Sequence, residues 1–203
     1  MFFRRDHRDE TAVDDQRRQR GILIETRAIE PYQPVVIARR PYDAGVQHAE
    51  DLLKPHPGQA LLKEPSPPCV LTSNSNSAAG VLLDFGVELQ GFVEIITPLT
   101  PQQARPRRVR VRFGESVSEA MSDLGGKQNA GNDHAVRDQV VTLPWLGKKT
   151  IGPSGFRFVR IDNVDATLPV QLTEVRAVLQ IRDIPYVGSF RCDDERLNRI
   201  WQV

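Results

Sequence analysis

A period of two is the plainest signal in this chain. Val109, Val111 and Phe113 alternate with Arg108, Arg110 and Arg112. Successive side chains of a strand point to opposite faces, so this segment predicts a strand with one apolar and one cationic side. Val175, Ala177, Leu179 and Ile181 repeat the pattern. Runs rich in β-branched and aromatic residues at 81–85, 91–97, 140–143 and 156–161 each touch a Gly or Pro at one end, which is the chemistry of strands and turns. Shorter runs at 22–24 and 34–38, and Ala60, Leu61 and Leu62, suggest further short strands. Gly86, Gly91, Gly114, Gly152 and Gly155 read as turn or bulge positions, and Phe92, Phe156 and Phe158 as core. No segment of helical period separates these strands. The pattern therefore predicts an all-β chain, an antiparallel β-sandwich or jelly roll, ending in the start of an α-helix.

The two ends differ from this middle. From Arg4 to Arg20 nearly every residue is charged or polar, too little apolar surface to hold one conformation, so residues 1–20 are expected to be a mobile lead-in to a sandwich at 21–190. At 191–203 the period changes. Asp193, Asp194 and Glu195 stand in a first turn, and Leu197, Ile200 and Trp201 follow at i, i+3 and i+4. So short a helix is marginal unless its stripe docks on something. With no earlier amphipathic helix to shelter it, Leu197, Ile200 and Trp201 are expected to form an apolar interdomain patch. The chain is then the front part of a larger protein, ending in the first helix of a helical domain.

Five ordered segments carry a resemblance: LDFGVELQG at 83–91, VRFGESVSE at 111–119, NDHAVRD at 132–138, GFRFVRID at 155–162 and GSFRCDDERLNRIW at 188–201. Together they resemble the region ahead of the catalytic barrel in bacterial α-L-rhamnosidases. The resemblance implies a galactose-binding-like sandwich packed against an α/α barrel of helical hairpins, where terminal L-rhamnose is removed from glycans or glycosides by an inverting hydrolysis. Such chemistry needs an acid and a second carboxylate roughly 6.5–9.5 Å apart. In that family the two belong to the barrel, so no catalytic residue is carried over. The expected role is a non-catalytic accessory domain whose partner is the missing C-terminal barrel. Two alternatives stand beside it: a free-standing carbohydrate-binding module, and a self-sufficient glycosidase using two of Glu115, Asp123, Asp133 and Asp138.

Composition narrows the partners. In 203 residues the formal net charge is +1, with no overall pull toward nucleic acid or a membrane. The arginines at 105–112 lack the interleaved aromatics of a base-stacking surface, and a solvated or ion-paired face is expected instead. No run approaches the roughly 20 apolar residues of a membrane span, and the opening has no apolar leader core, so a cytoplasmic location is expected. Cys69 and Cys192 match no metal or redox spacing. No cofactor or metal is expected.

Local chemistry singles out two places. Asn132, Asp133, His134, Arg137 and Asp138 lie in a connection from Glu115 to Asp138, longer than the roughly 12–15 residues usual for a structureless loop. They are candidate carbohydrate or interdomain contacts, since neither a nucleophile nor a third metal ligand stands beside them. Trp145, in a Leu-Pro-Trp-Leu-Gly turn, is a candidate platform for a sugar ring, against the plainer use of covering the sandwich edge.

Overall fold

The computed structural model describes residues 45–54, 56–100, 106–123, 137–180 and 187–201, with the backbone of two short strands at 26–27 and 35–36. The chain divides into two compact units, Thr26–Ile181 and one that takes in Arg182–Val203. In chain order the first unit holds β1 (Thr26–Arg27), β2 (Val35–Val36), β3 (Val46–Gln47), a 3₁₀ turn (Ala49–Leu53), β4 (Cys69–Leu71), β5 (Gly80–Thr97), β6 (Arg107–Gly114), α1 (Val117–Met121), β7 (Asp138–Leu143), β8 (Gly147–Asn163), β9 (Val170–Leu172) and β10 (Glu174–Gln180). A seven-stranded sheet runs β1-β10-β5-β8-β6-β7, with β2 also paired to β5, and a three-stranded sheet runs β3-β4-β9. All of these pairings are antiparallel.

The two sheets close on one core, as the alternation predicts. Val109, Val111 and Phe113 are buried, joined by Val81, Leu83, Phe85, Val93 and Ile95 of β5 and Phe156, Val159 and Ile161 of β8. The small sheet contributes Cys69, Leu71, Val170 and Leu172. Edge-to-face ring pairs knit the centre, with Phe156 centred 5.7 Å from Phe85 and 5.0 Å from Phe113. Phe158 is adjacent to Val159 and so takes the opposite face, where it packs with Leu82 beneath Ala120, Val117 and Met121 of α1. Phe92 is half-buried rather than core, because its neighbours Val93 and Ile95 take the inner face.

Several local expectations are redrawn. The strands expected at 81–85 and 91–97 are one strand, because β8 pairs with both halves. The turn signal at Gly86 becomes a bulge: four residues of β5 from Asp84 to Leu89 intervene where β8 has one between Phe158 and Phe156. Gly86 sits at φ 81 there, its N–H donating to Asp84 Oδ1 at 2.8 Å. Ala60–Leu62 forms no strand, and the small sheet's strands of two or three residues were too short to show a period. Helix α1 does carry a legible signal, the Ser116-x-x-Glu119 box. Ser116 Oγ accepts from the Glu119 N–H at 3.2 Å, and Glu119 Oε2 accepts from the Glu115 N–H at 2.8 Å. The expected runs at 22–24 and 37–38, the lead-in at 1–20 and Ile181 lie outside the described residues.

In the second unit, α2 (Glu195–Trp201) begins after Asp194, whose Oδ1 accepts from the Arg196 N–H at 2.9 Å. Asn198 ties the entry down, accepting from Cys192 N–H and donating to the Cys192 carbonyl, both at 2.8 Å. The Phe190 and Trp201 rings lie 5.8 Å apart.

Phe156 is fully buried between two other rings, so Phe156→Ala is expected to lower unfolding free energy by about 3–5 kcal/mol. Val140→Ser, on an exposed side chain, is expected to change it by less than about 0.5 kcal/mol. Urea titration followed by far-UV circular dichroism measures both.

Candidate functional site

The cationic face predicted on β6 exists, and acidic groups of the same chain pair with Arg110 and Arg112 on it. Register places Arg110 between Val140 and Asp162, and Arg112 between Asp138 and Arg160. Arg110 donates from Nε to Asp138 Oδ1 at 2.7 Å and from Nη2 to Asp123 Oδ1 at 2.8 Å. Arg112 donates to Asp162 Oδ2 at 2.8 Å, and Arg160 to Asp162 Oδ1 at 2.8 Å. Further along, Arg157 grips Asp84 with two bonds of 2.8 and 2.9 Å while its guanidinium lies 5.0 Å from the centre of the Phe158 ring. The Arg157 hydrogen bond holds the Asp84 carboxyl below its ordinary range. The bond to Asp138 likewise raises the Arg110 guanidinium.

This lattice also settles the posts of two expected site residues. Asp138 serves Arg110, and Arg137 is buried, donating from Nε to the Phe113 carbonyl at 3.1 Å with Glu119 Oε1 3.5 Å from Nη1. Asn132, Asp133 and His134 lie outside the described residues. Asp123 and Asp138, two of the acids of the self-sufficient glycosidase alternative, share one guanidinium.

A second charged knot lies across β5, β8 and β10. Glu94 receives Arg176 at 2.6 Å and Lys148 at 2.7 Å. These bonds hold its carboxyl below the usual range although burial opposes them. Glu174, only 3% exposed, accepts from the Gly58 N–H at 2.9 Å through Oε2, while its Oε1 has no hydrogen-bond partner. Burial pushes this carboxyl up. Gly58, at φ 73, lies so close to the Arg176 guanidinium that a Cβ would sit 1.6 Å from Nη1, so a side chain there would have to displace the end of Arg176 and adopt a backbone conformation that favours glycine.

Trp145 is 61% exposed, on the short connection between β7 and β8, which passes the β6 edge rather than closing a hairpin. The connection is anchored from the end of β5. Thr97 Oγ1 donates to the Pro144 carbonyl at 2.9 Å, and the Trp145 carbonyl accepts from Thr100 N–H at 3.3 Å and from its Oγ1 at 3.2 Å. A fixed backbone thus presents a free indole. Nothing in the spacing of the sequence points to Arg107, whose cross-strand partner is Leu143, two residues before Trp145.

His48, Glu50 and Asp51 bring ligand-type atoms within 4.8 Å of one another. The Lys54 ammonium already bonds Asp51, supplying the positive charge a metal would bring. Cys69 and Cys192 are free thiols, and burial pushes Cys69 up to about 12. No helix among the described residues is long and apolar enough to cross a membrane. In the second unit Leu197, Ile200 and Trp201 are all exposed.

No protein-family model and no curated protein matches the chain. Among solved structures, it is similar to a rhamnosidase from Klebsiella oxytoca with rhamnose bound, at 18% identity and a TM-score of 0.50 over 64% of this chain and 26% of that one. A GH78 family rhamnosidase of Bacillus sp. GL1 is 22% identical over 75% of this chain and 14% of its own, with a TM-score of 0.46. A fucose binding module of Streptococcus pneumoniae is 16% identical over 56% of this chain and 70% of its own, with a TM-score of 0.38. The first likeness establishes a shared sandwich fold. The chain spans well under two thirds of either rhamnosidase.

The Glu174 carboxyl titrates above its unfolded value, so it contributes most stability while protonated and loses it as pH rises from about 4.5 through the raised folded value. Glu174→Gln is expected to raise the melting temperature at pH 7, with the gain vanishing toward pH 4. Glu94 has the opposite sign. Its contribution is present above about pH 4.5 and disappears as pH falls through the lowered folded value, so Glu94→Gln is expected to destabilise at pH 7. Thermal melts of both variants from pH 4 to pH 8 check the pair.

Proposed function

We propose that this chain is the non-catalytic β-sandwich accessory domain of an α-L-rhamnosidase-like glycoside hydrolase, and that it supports a C-terminal α/α barrel that hydrolyses terminal α-L-rhamnose. The observation that carries the reading is the fold shared with about a quarter of a rhamnosidase, the chain covering 26% of that enzyme. Fold alone is an analogy for function. It gains weight from chemistry, because many of the carboxylates on the large sheet's outer face are engaged by arginines or lysines rather than left facing a gap.

The exposed Leu197, Ile200 and Trp201 stripe is the surface we assign to the barrel. Three large apolar side chains at helical spacing on solvent form the kind of patch that marks an interface. On the same reading Arg137 and Asp138 are structural, bracing β6 and β7. Residues 132–134 and Trp145 remain candidates for contact with the barrel or with carbohydrate.

The reading predicts that the 203-residue chain leaves an aryl α-L-rhamnoside intact, measured as absence of released aryl alcohol; turnover by this chain would overturn it. Replacing Leu197, Ile200 and Trp201 together by Ser is expected to reduce binding of an apolar-surface dye. It should leave the unfolding midpoint of the sandwich unchanged.

A further inference from the structure

Glu174 is a carboxyl held dry beside a short segment of chain. It is the first residue of β10, only 3% exposed, and its Oε2 accepts from the Gly58 N–H at 2.9 Å. Its Oε1 is closed to solvent and has no hydrogen-bond partner. The neighbouring cations are engaged elsewhere. Register sets Arg176 across from Glu94, which receives Arg176 at 2.6 Å and Lys148 at 2.7 Å. His56 is near enough for its charge to act on Glu174, but its Nε2 lies 3.2 Å from the Asp51 carbonyl, and the Asp51 carboxylate faces His48 and Lys54. Among the described residues no ion pair to Glu174 forms, so one backbone N–H is all that meets this carboxyl.

The same bond ties residues 56–64 to the large sheet. Among the described hydrogen bonds of this segment, His56 pairs with Asp51 and the Leu61 N–H donates to Glu64 Oε1 at 3.1 Å, while Gly58 alone reaches a strand of that sheet. Val175 and Ile95 belong to the core, so Glu174 and its cross-strand partner Ile96 share the outer face. Ile96 is fully buried and lies outside both apolar clusters, so this part of the outer face is covered. A neutral carboxyl is tolerated in such a place. An ionised one bonds Gly58 more strongly but leaves Oε1 charged with no donor, a cost that water removes once the segment lifts. From the single Gly58–Glu174 bond, the dry Oε1 and the capture of Arg176 and Lys148 by Glu94, we infer that residues 56–64 form a strap whose hold on the large sheet is set by the charge on Glu174. The strap is closed over a neutral carboxyl and opens as the carboxyl ionises. Burial, with Glu94 adding to it, raises the folded Glu174 value against the opposing pull of Arg176, the Gly58 N–H and His56. Closure is therefore fully favoured below about pH 4.5 and weakens as pH rises through the raised folded value.

The test is hydrogen exchange on the full chain from pH 4.5 to pH 8, with each amide's protection corrected for its intrinsic rate. At pH 7 the Gly58 amide is expected to be less protected than the amides of β8, because the strap opens without unfolding the sandwich. Its protection should fall by about threefold or more between pH 4.5 and pH 7 and level off once the carboxyl is ionised. Glu174→Gln, which cannot ionise, should keep the strap closed across the range, with Gly58 better protected than in the parent at pH 7. His56→Gln should retain the parent's pH dependence, since the controlling proton sits on Glu174. Four results would each overturn the proposal: Gly58 protection equal to that of β8 at every pH, no change with pH, the parent's trend persisting in Glu174→Gln, or its loss in His56→Gln. None of them bears on rhamnoside turnover, so this inference and the accessory-domain reading fail separately.

Discussion

Everything in the sandwich hangs on the pairing of two long strands, β5 and β8. They lie side by side through 18 and 17 residues, and every other strand of the large sheet attaches to one of them or to a strand that does. The pairing also assembles the core, because it brings Phe85 and Phe156 into contact from opposite strands and sets Phe113 against the same ring from β6. Burial of these rings supplies the directionless part of the stability. The ladder supplies the register. Where the two strands differ in length, the excess is taken up at Asp84–Leu89 rather than by breaking the sheet.

Once the inner face is apolar, the outer face of the same strands must be polar, and its charges then require partners. The sheet answers with cross-strand arginine–carboxylate pairs, Arg110 with Asp138, Arg112 with Asp162 and Arg157 with Asp84. Several of these are at least partly removed from water, and breaking one would strand a charge. Arg107 departs from the rule, and Glu174 departs from it in the opposite sense, as a carboxylate with one oxygen unmatched.

The expected function and the observed fold agree at the level of architecture. A sandwich similar to a rhamnosidase segment is what the five ordered motifs implied. The expected site fares differently. Of the 132–138 cluster, Arg137 donates to the Phe113 carbonyl and Asp138 accepts from Arg110, partners on another strand that the motif alone does not name. A short motif shows which groups are present but not which of them already have partners. Trp145 kept its exposure because the connection that carries it is held through its backbone carbonyls, leaving the side chain no structural task among the described bonds.

By itself the sequence determined the all-β class, the inward and outward faces of β6 and β10 and the apolar stripe on the last helix. These are local properties, set by a period of two residues in strands and of three to four in a helix. Only the tertiary structure decided that 80–97 is one strand, that strands of two or three residues make a second sheet, that Arg110 and Arg112 are paired with carboxylates, and that Arg107 is not. Each of those outcomes depends on residues distant in the chain, Asp84 with Arg157, Asp162 with Arg112, Gly58 with Glu174. A charge's partner in a sheet is chosen by register across strands, and register is a property of the assembled sheet rather than of any one segment.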